Sequence, residues 1–189
     1  MNKCEVCYEA LTKPARGRVP RFCGTRCRVA SHRKDQRFFV PSELQSVPRW
    51  ILHKDKRPMS LKGWWSSIND ASTWASYEDA RQAGKGDGVG FVLNGDGIVC
   101  IDLDDCVLDG VISDEAQNLI NSFPKTFVEL SPSRRGLHLW GLGNVGAGRR
   151  FERDGLKIEV YGTGRYLTVT GRTLIKAPLA ELQLEDLVG

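Results

Sequence analysis

Hydrophobic and polar residues alternate with a period of two in three stretches of this 189-residue chain. That spacing sends successive side chains to opposite faces of a β-strand. In "IVCIDLDD", Val99, Ile101 and Leu103 share one face, and Cys100, Asp102 and Asp104 share the other. In "GLHLW", Leu137 and Leu139 oppose His138 and Trp140; in "LKIEVY", Leu156, Ile158 and Val160 oppose Lys157, Glu159 and Tyr161. If the three apolar faces share one core, Asp102, Asp104, His138 and Glu159 lie together on the opposite surface.

The punctuation around these strands predicts hairpins and helices. "GVGFVL" and "GIVCIDLDD" are joined by "NGDG", a strong hairpin signal. "TFVEL" and "GLHLWGL" flank "SPSRR", and "LKIEVY" and "RYLTVTG" are joined by "GTG". "DASTWASYEDARQAG" has polar caps ahead of Trp74, apolar positions at Trp74, Tyr77 and Ala80, and Gly84 as a stop, which predicts a helix. "SDEAQNLINSF" predicts a second helix with Ser113 as N-cap. Three hairpins with interspersed helices give an α+β domain with a mainly antiparallel sheet covered by helices on one face.

Composition adds a second module. With 41% hydrophobic and 26% charged residues the chain is globular. No apolar run reaches the ~18 residues of a membrane span and the start lacks a signal-peptide core, so the expected location is cytoplasmic. Cysteines there stay reduced, and closely spaced ones favour metal over disulfides. Cys4, Cys7, Cys23 and Cys27 form Cys-x2-Cys, a spacer of fifteen residues, and Cys-x3-Cys, the pattern of a tetrahedral thiolate zinc site; His32 is an alternative ligand. So small a module folds on its metal. The net charge of +4 divides unevenly: residues 1–40 hold ten basic and three acidic groups, while the other 149 hold 17 and 20. A basic head suits a polyanion, most simply nucleic acid. Pro41 and Pro48 mark the connection, giving a zinc-binding module over 1–37 and a catalytic domain over 38–189.

The acidic face has a chemical use. Mg2+ or Mn2+ take carboxylate oxygens and leave room for phosphate oxygens. Two such ions hold the attacking and leaving oxygens of a phosphoryl transfer. Asp102, Asp104 and Glu159 supply the carboxylates, and Arg134, Arg135 and His138 suit a triphosphate and its developing charge.

"IDLD", "SPSRRGLHLW" and "IEVYGTGRYLTVTG" resemble the three motifs of the archaeo-eukaryotic primase superfamily, in its phage and plasmid primase–polymerase branch. "PRWILHKDKRPMS" and "STWASYEDA" resemble the lead-in of the phage members, so the likeness spans residues 45–172. It implies a catalytic core on an RRM-like sheet beside an N-terminal α/β lobe. Asp102, Asp104 and Glu159 then become metal ligands, and His138 meets the phosphates of the incoming nucleotide. Ser133, Arg134 and Arg135 surround that nucleotide, and Arg165 meets nucleotide or template. Two departures stand out: Arg134 replaces a small residue of "SPSGxGLH", and the third acid is Glu rather than Asp. Separately, "FC…CR…A.HR" resembles small four-cysteine fingers.

The resemblance implies a template-directed nucleotidyltransferase that takes NTP or dNTP and makes primers on single-stranded DNA, working with a separate helicase. The zinc module, or Trp50, Trp64, Trp65 or Trp74 as stacking faces, would grip the first nucleotide or the template; core packing competes for each tryptophan, most of all for Trp74. Competing readings are a bacterial zinc-finger primase of the Toprim type, whose glutamate precedes its Asp pair, and a non-catalytic single-strand-binding or replication-initiator module. A relaxase-type nuclease is disfavoured because His32, His53 and His138 stand isolated.

Overall fold

The structure, a computed structural model, describes residues 3–4, 7–12, 17, 19–29 and 38–188. The chain divides into two compact units, residues 1–39 and 40–189.

The first unit is built around its cysteines. The Cys4 N–H donates to the Glu9 carbonyl (2.8 Å) and the Tyr8 N–H to the Cys4 carbonyl (3.0 Å), curling the chain so that Cys4 and Cys7 face one point. A helical turn over 25–29 carries Cys27. His32 and the expected boundary at Arg37 lie outside the described residues.

The second unit is α+β, with mainly antiparallel sheets and few helices. It opens with α1 (Ser42–Gln45), β1 (Trp50–Lys54) and β2 (Arg57–Met59). A single helix over "DASTWASYEDARQAG" is not what forms. Asp70 caps a 3-10 turn at Ala71–Thr73, the chain then extends, and Ser76 caps α2 (Tyr77–Gln82). The break lies at Ala75, whose N–H and C=O pair with Trp50 (2.8 and 3.0 Å): β1 takes the backbone bonds a continuous helix would need. Next come β3 (Gly88–Asn94), β4 (Ile98–Asp104), a small ribbon of β5 (Val107–Leu108) and β6 (Val111–Ile112), and α3 (Asp114–Ser122). Ser113 caps α3 as the sequence predicts, accepting the Ala116 N–H. The remainder is β7 (Phe127–Leu130), β8 (Leu137–Leu142), β9 (Arg149–Arg153), β10 (Leu156–Tyr161), β11 (Thr163–Val169), β12 (Thr173–Ile175) and α4 (Glu185–Val188).

Only one of the three expected hairpins forms. β7 pairs with β8, but β3 does not pair with β4, nor β10 with β11. Instead a six-stranded sheet runs β12-β7-β8-β4-β10-β9 and a four-stranded sheet runs β11-β3-β1-β2. "NGDG" and "GTG" are crossings between the two. The reason is burial: Phe91, Val92 and Leu93 are buried in succession on β3, as are Val99, Cys100 and Ile101 on β4. Strands buried on both faces lie inside a sheet and need two partners each. The two crossings touch, the Gly95 N–H donating to the Gly162 carbonyl (2.9 Å). Arg49, 3% exposed, clamps the first crossing by binding Asn94 and Asp96 (2.8 Å).

The apolar faces of the three alternating strands do share one core. Val99, Ile101, Leu103, Leu137, Leu139, Leu156, Ile158 and Val160 pack with Ala116 and Ile120 of α3 and with Leu182, Leu184 and Leu187 of the C-terminal segment. On the opposite face Trp140 meets Phe91 of the four-stranded sheet edge-on (6.0 Å). Trp50 is fully buried against Tyr77 and Phe91, which removes it from the stacking candidates. Among the described residues no helix is long and apolar enough to cross a membrane.

Candidate functional site

Cross-strand register sets the site. Asp102 stands opposite Glu159 of β10 on one side and His138 of β8 on the other. Glu129 of β7 stands opposite His138, and Arg150 of β9 opposite Glu159. A row of polar side chains therefore crosses five adjacent strands: Arg150, Glu159, Asp102, His138, Glu129. Directly opposed residues have Cβ atoms about 4.5–5.5 Å apart, and like charges there are destabilising. The row breaks charge alternation at one point, where Glu159 sits beside Asp102. Asp104 lies two residues along the same face, opposite Lys157.

Exposure rises along β4. Cys100 is fully buried, the Asp102 side chain is 18% exposed and Asp104 is exposed. Burial pushes the Asp102 carboxyl above its ordinary range, with Asp104 and Glu159 adding to the rise and His138 and Arg165 opposing it. Its Oδ1 is buried with no hydrogen-bond partner, 3.7 Å from His138 Nε2. Carboxylate oxygens, one of them unpartnered, are the donor type a hard divalent cation takes, although among the described residues the oxygens of Asp102, Asp104 and Glu159 are not gathered into one metal-sized group as the cysteine sulfurs are. Glu159, in contrast, has partners of its own. The Tyr161 hydroxyl donates to Glu159 (2.6 Å), and Arg150 and Arg165 (3.8 Å) pair with that carboxylate. Arg165 also covers the Tyr161 ring at 4.7 Å, so β11 brings a cation from the four-stranded sheet to the acidic row.

His138 shares the row but is only 3% exposed. Burial alone would lower its pKa; the Glu129 hydrogen bond and the charges of Asp102 and Glu129 outweigh that and raise it. Glu129 is the residue the sequence reading missed. Completely buried, it accepts from the Thr170 N–H (2.9 Å), the Thr170 hydroxyl (2.9 Å), the Gly171 N–H (2.7 Å) and Trp140 Nε1 (3.2 Å), and it faces His138 Nδ1 at 3.4 Å. The available signal was positional: Glu129 lies on the same face of "TFVEL" as Phe127, where a lone acid must be paired to be buried.

The loop before β8 is held by its serines. Ser131 Oγ meets Ser133 Oγ (3.1 Å) and accepts the Gly136 N–H (3.2 Å), and Ser133 accepts the Arg135 N–H (3.2 Å). A Cβ on Gly136 would lie 2.5 Å from the Leu103 carbonyl, so glycine lets the loop press against the end of β4. Arg134 adopts φ +62°, a left-handed conformation that favours small residues and explains why its position is unusual for an arginine. Arg135 is exposed and pairs with Asp105 (2.9 Å). Arg150 also borders a groove of about 750 Å³ that it shares with Arg149, Arg153, Glu185 and Asp186.

With this geometry in view, comparison with known proteins is informative. The chain is 34% identical to the DNA primase-polymerase of Nitratiruptor phage NrS-1. The aligned stretch of 145 residues takes in 68% of this chain and 20% of the phage protein, so the chain spans about a fifth of that relative's length. No family model matches.

The first unit holds a separate cluster. The sulfurs of Cys4, Cys7, Cys23 and Cys27 all lie within 4.8 Å of one another, with Cys7 and Cys23 at 3.4 Å and Cys23 and Cys27 at 3.5 Å. Hydrogen bonding from Cys7, then Cys27, pushes the Cys23 thiol far up. Four converging sulfurs fit a zinc ion, whose Zn–S bonds are ~2.3 Å.

Proposed function

We propose that this chain is a primase–polymerase: a DNA-directed nucleotidyltransferase that builds primers on single-stranded DNA from NTP or dNTP. The supporting observation is the Glu159–Asp102 juxtaposition on adjacent strands, two like charges set opposite each other in register. The likeness to a phage DNA primase-polymerase agrees with it. Asp102, Asp104 and Glu159 would hold two divalent ions, Mg2+ or Mn2+, which when bound neutralise the charge on the attacking and leaving oxygens.

The protein's own residues then position and hold charge. Arg134, Arg135 and Ser133, on the loop pressed against β4, receive the triphosphate. Arg150 and Arg165 flank Glu159 and would be available to phosphate if that carboxylate held an ion. His138, clamped by Glu129, lies beside Asp102 and orients it, meeting a nucleotide phosphate from the Asp102 side. A 3′-oxygen attacks the α-phosphorus, a P–O bond forms as the bond to the β-phosphate bridge breaks, and pyrophosphate leaves. Most of the rate enhancement comes from placement and electrostatics. Residues 1–37 form a zinc-binding module and 38–189 the catalytic domain, and the basic module grips template or initiating nucleotide.

The test is incorporation of labelled nucleotides on single-stranded DNA by the full chain, with Mg2+ or Mn2+ and with or without a primer. Template-dependent products without primer establish priming; products only with primer restrict the activity to polymerisation. DNA binding with no incorporation under either ion would overturn the enzymatic reading and leave the non-catalytic one.

A further inference from the structure

Two adjacent tryptophans lie exposed on the second unit, as do Leu108 and Val111 elsewhere. Trp64 is 73% exposed and Trp65 is 53% exposed, although both belong to a well-bonded loop. The Ser60 N–H and hydroxyl donate to the Trp64 carbonyl (2.9 and 3.3 Å), and the Gly63 N–H donates to the Ser60 carbonyl (2.9 Å). Trp65 bridges to Met59, continuing the edge of β2, and the Ser66 N–H closes onto the Pro58 carbonyl (3.1 Å). Lys85 reaches across to the Leu61 carbonyl (3.2 Å). The rings are thus presented by a fixed backbone, and their exposure is not a product of a loose segment.

The surroundings are cationic. Residues 54–65 contain Lys54, Lys56, Arg57 and Lys62 against one acid, Asp55. The Arg57 guanidinium lies over the Trp65 ring at 4.5 Å. Flat aromatic faces interleaved with Lys and Arg match a polymer that is itself an alternation of flat rings and phosphates. Duplex nucleic acid hides its ring faces; an unpaired strand offers them.

We infer that Trp64 and Trp65 form a stacking platform for unpaired bases of single-stranded DNA, with Arg57 and Lys62 on the flanking phosphates. The stacking chemistry is independent of the acidic row; only the choice of DNA over RNA rests on the proposed template. Trp64, the more exposed ring, takes the first base, and Trp65, backed by Arg57, takes the second.

The experiment measures binding of fluorescein-labelled dT20 to the full zinc-loaded chain without added divalent cations or nucleotides, so that a failure of catalysis leaves it unaffected. Replacing both rings (Trp64→Ala with Trp65→Ala) is expected to weaken binding by about 5- to 150-fold for each base no longer stacked. Wild type should prefer dT20 to an abasic strand of equal length, the double variant should lose that preference, and Phe at both positions should restore part of it. Saturating dT20 should quench tryptophan fluorescence in wild type, a readout that needs no variant to fold. Unchanged affinity in a folded double variant, or no quenching at saturation, overturns the proposal. So does tighter binding of rU20 than of dT20. Self-association that the double variant abolishes while DNA affinity stays constant would assign the patch to a second copy of the chain.

Discussion

Replacing Asp102 with Asn should make the protein more stable and less active at once. The carboxylate of Asp102 faces Glu159 across one strand pair and lies along the same face as Asp104. At about 5 Å and an effective dielectric constant of about 20, two carboxylates repel by about 3 kcal/mol. His138 on the far side and water around a side chain that is 18% exposed offset part of this, leaving about 1–2 kcal/mol. The sign follows from linkage. A carboxyl whose folded pKa lies above its unfolded value penalises folding at every pH above both, and the penalty fades as pH falls toward the unfolded value of ~3.9. Above the folded pKa the full penalty is present, and Asn removes it without changing the side-chain shape. For a domain of this size, about 1–2 kcal/mol corresponds to a rise in Tm of about 2–8 °C. Thermal unfolding by circular dichroism without added divalent cations measures the rise. Added Mn2+ should then lift the wild-type Tm and leave Asp102→Asn almost unmoved, and incorporation should fall by at least ~100-fold. An Asn variant that melts lower than wild type before Mn2+ is added, or that keeps incorporating nucleotides, refutes the reasoning.

Other perturbations have distinct signatures. Glu129→Gln sets an amide donor against groups that all donate, so urea denaturation should show a loss of about 2–4 kcal/mol, with the Trp140 environment altered in near-UV circular dichroism. His53 is 8% exposed with Nε2 unpartnered, and burial lowers its pKa, Asp87 opposing. Its neutral form is the one the fold accepts, so stability should fall as pH drops through the unfolded value of ~6.5 toward the lower folded one; His53→Gln should flatten that slope in pH-dependent melts. Replacing Cys4 and Cys7 with Ser should release one zinc per chain by elemental analysis and leave the melt of the second unit in place. It should reduce primer initiation more than extension; equal loss of both would contradict a role in initiation.

How much of this could be read in the sequence depended on which physical constraint spoke locally. The faces of β4, β8 and β10 were legible because alternation is a property of the strand itself, so the shared core of Val99, Leu139 and Ile158 and the opposing acids followed. Strand partners were not, because "NGDG" and "GTG" announce a change of direction without saying which sheet comes next. The runs of buried residues on β3 and β4 carried that information, and they conflict with a simple two-stranded hairpin. The helix over residues 70–84 failed because Ala75 is claimed by β1, a long-range contact with no local mark. Glu129 was hidden for a related reason: only the fold reveals the donors of Thr170 and Gly171 that make its burial tolerable.

The paired crossings at Gly95 and Gly162 make the two sheets inseparable as building blocks. Arg165 lies only six residues from Glu159 along the chain, yet reaches it from the other sheet. Cutting the protein between the sheets, as one might to isolate a minimal enzyme, would sever three covalent passages, the third running from β11 to β12, and strip the carboxylates of a counter-charge supplied from across the gap. A graft onto a foreign scaffold would have to carry both layers, because the backbone itself is the ruler that fixes their spacing.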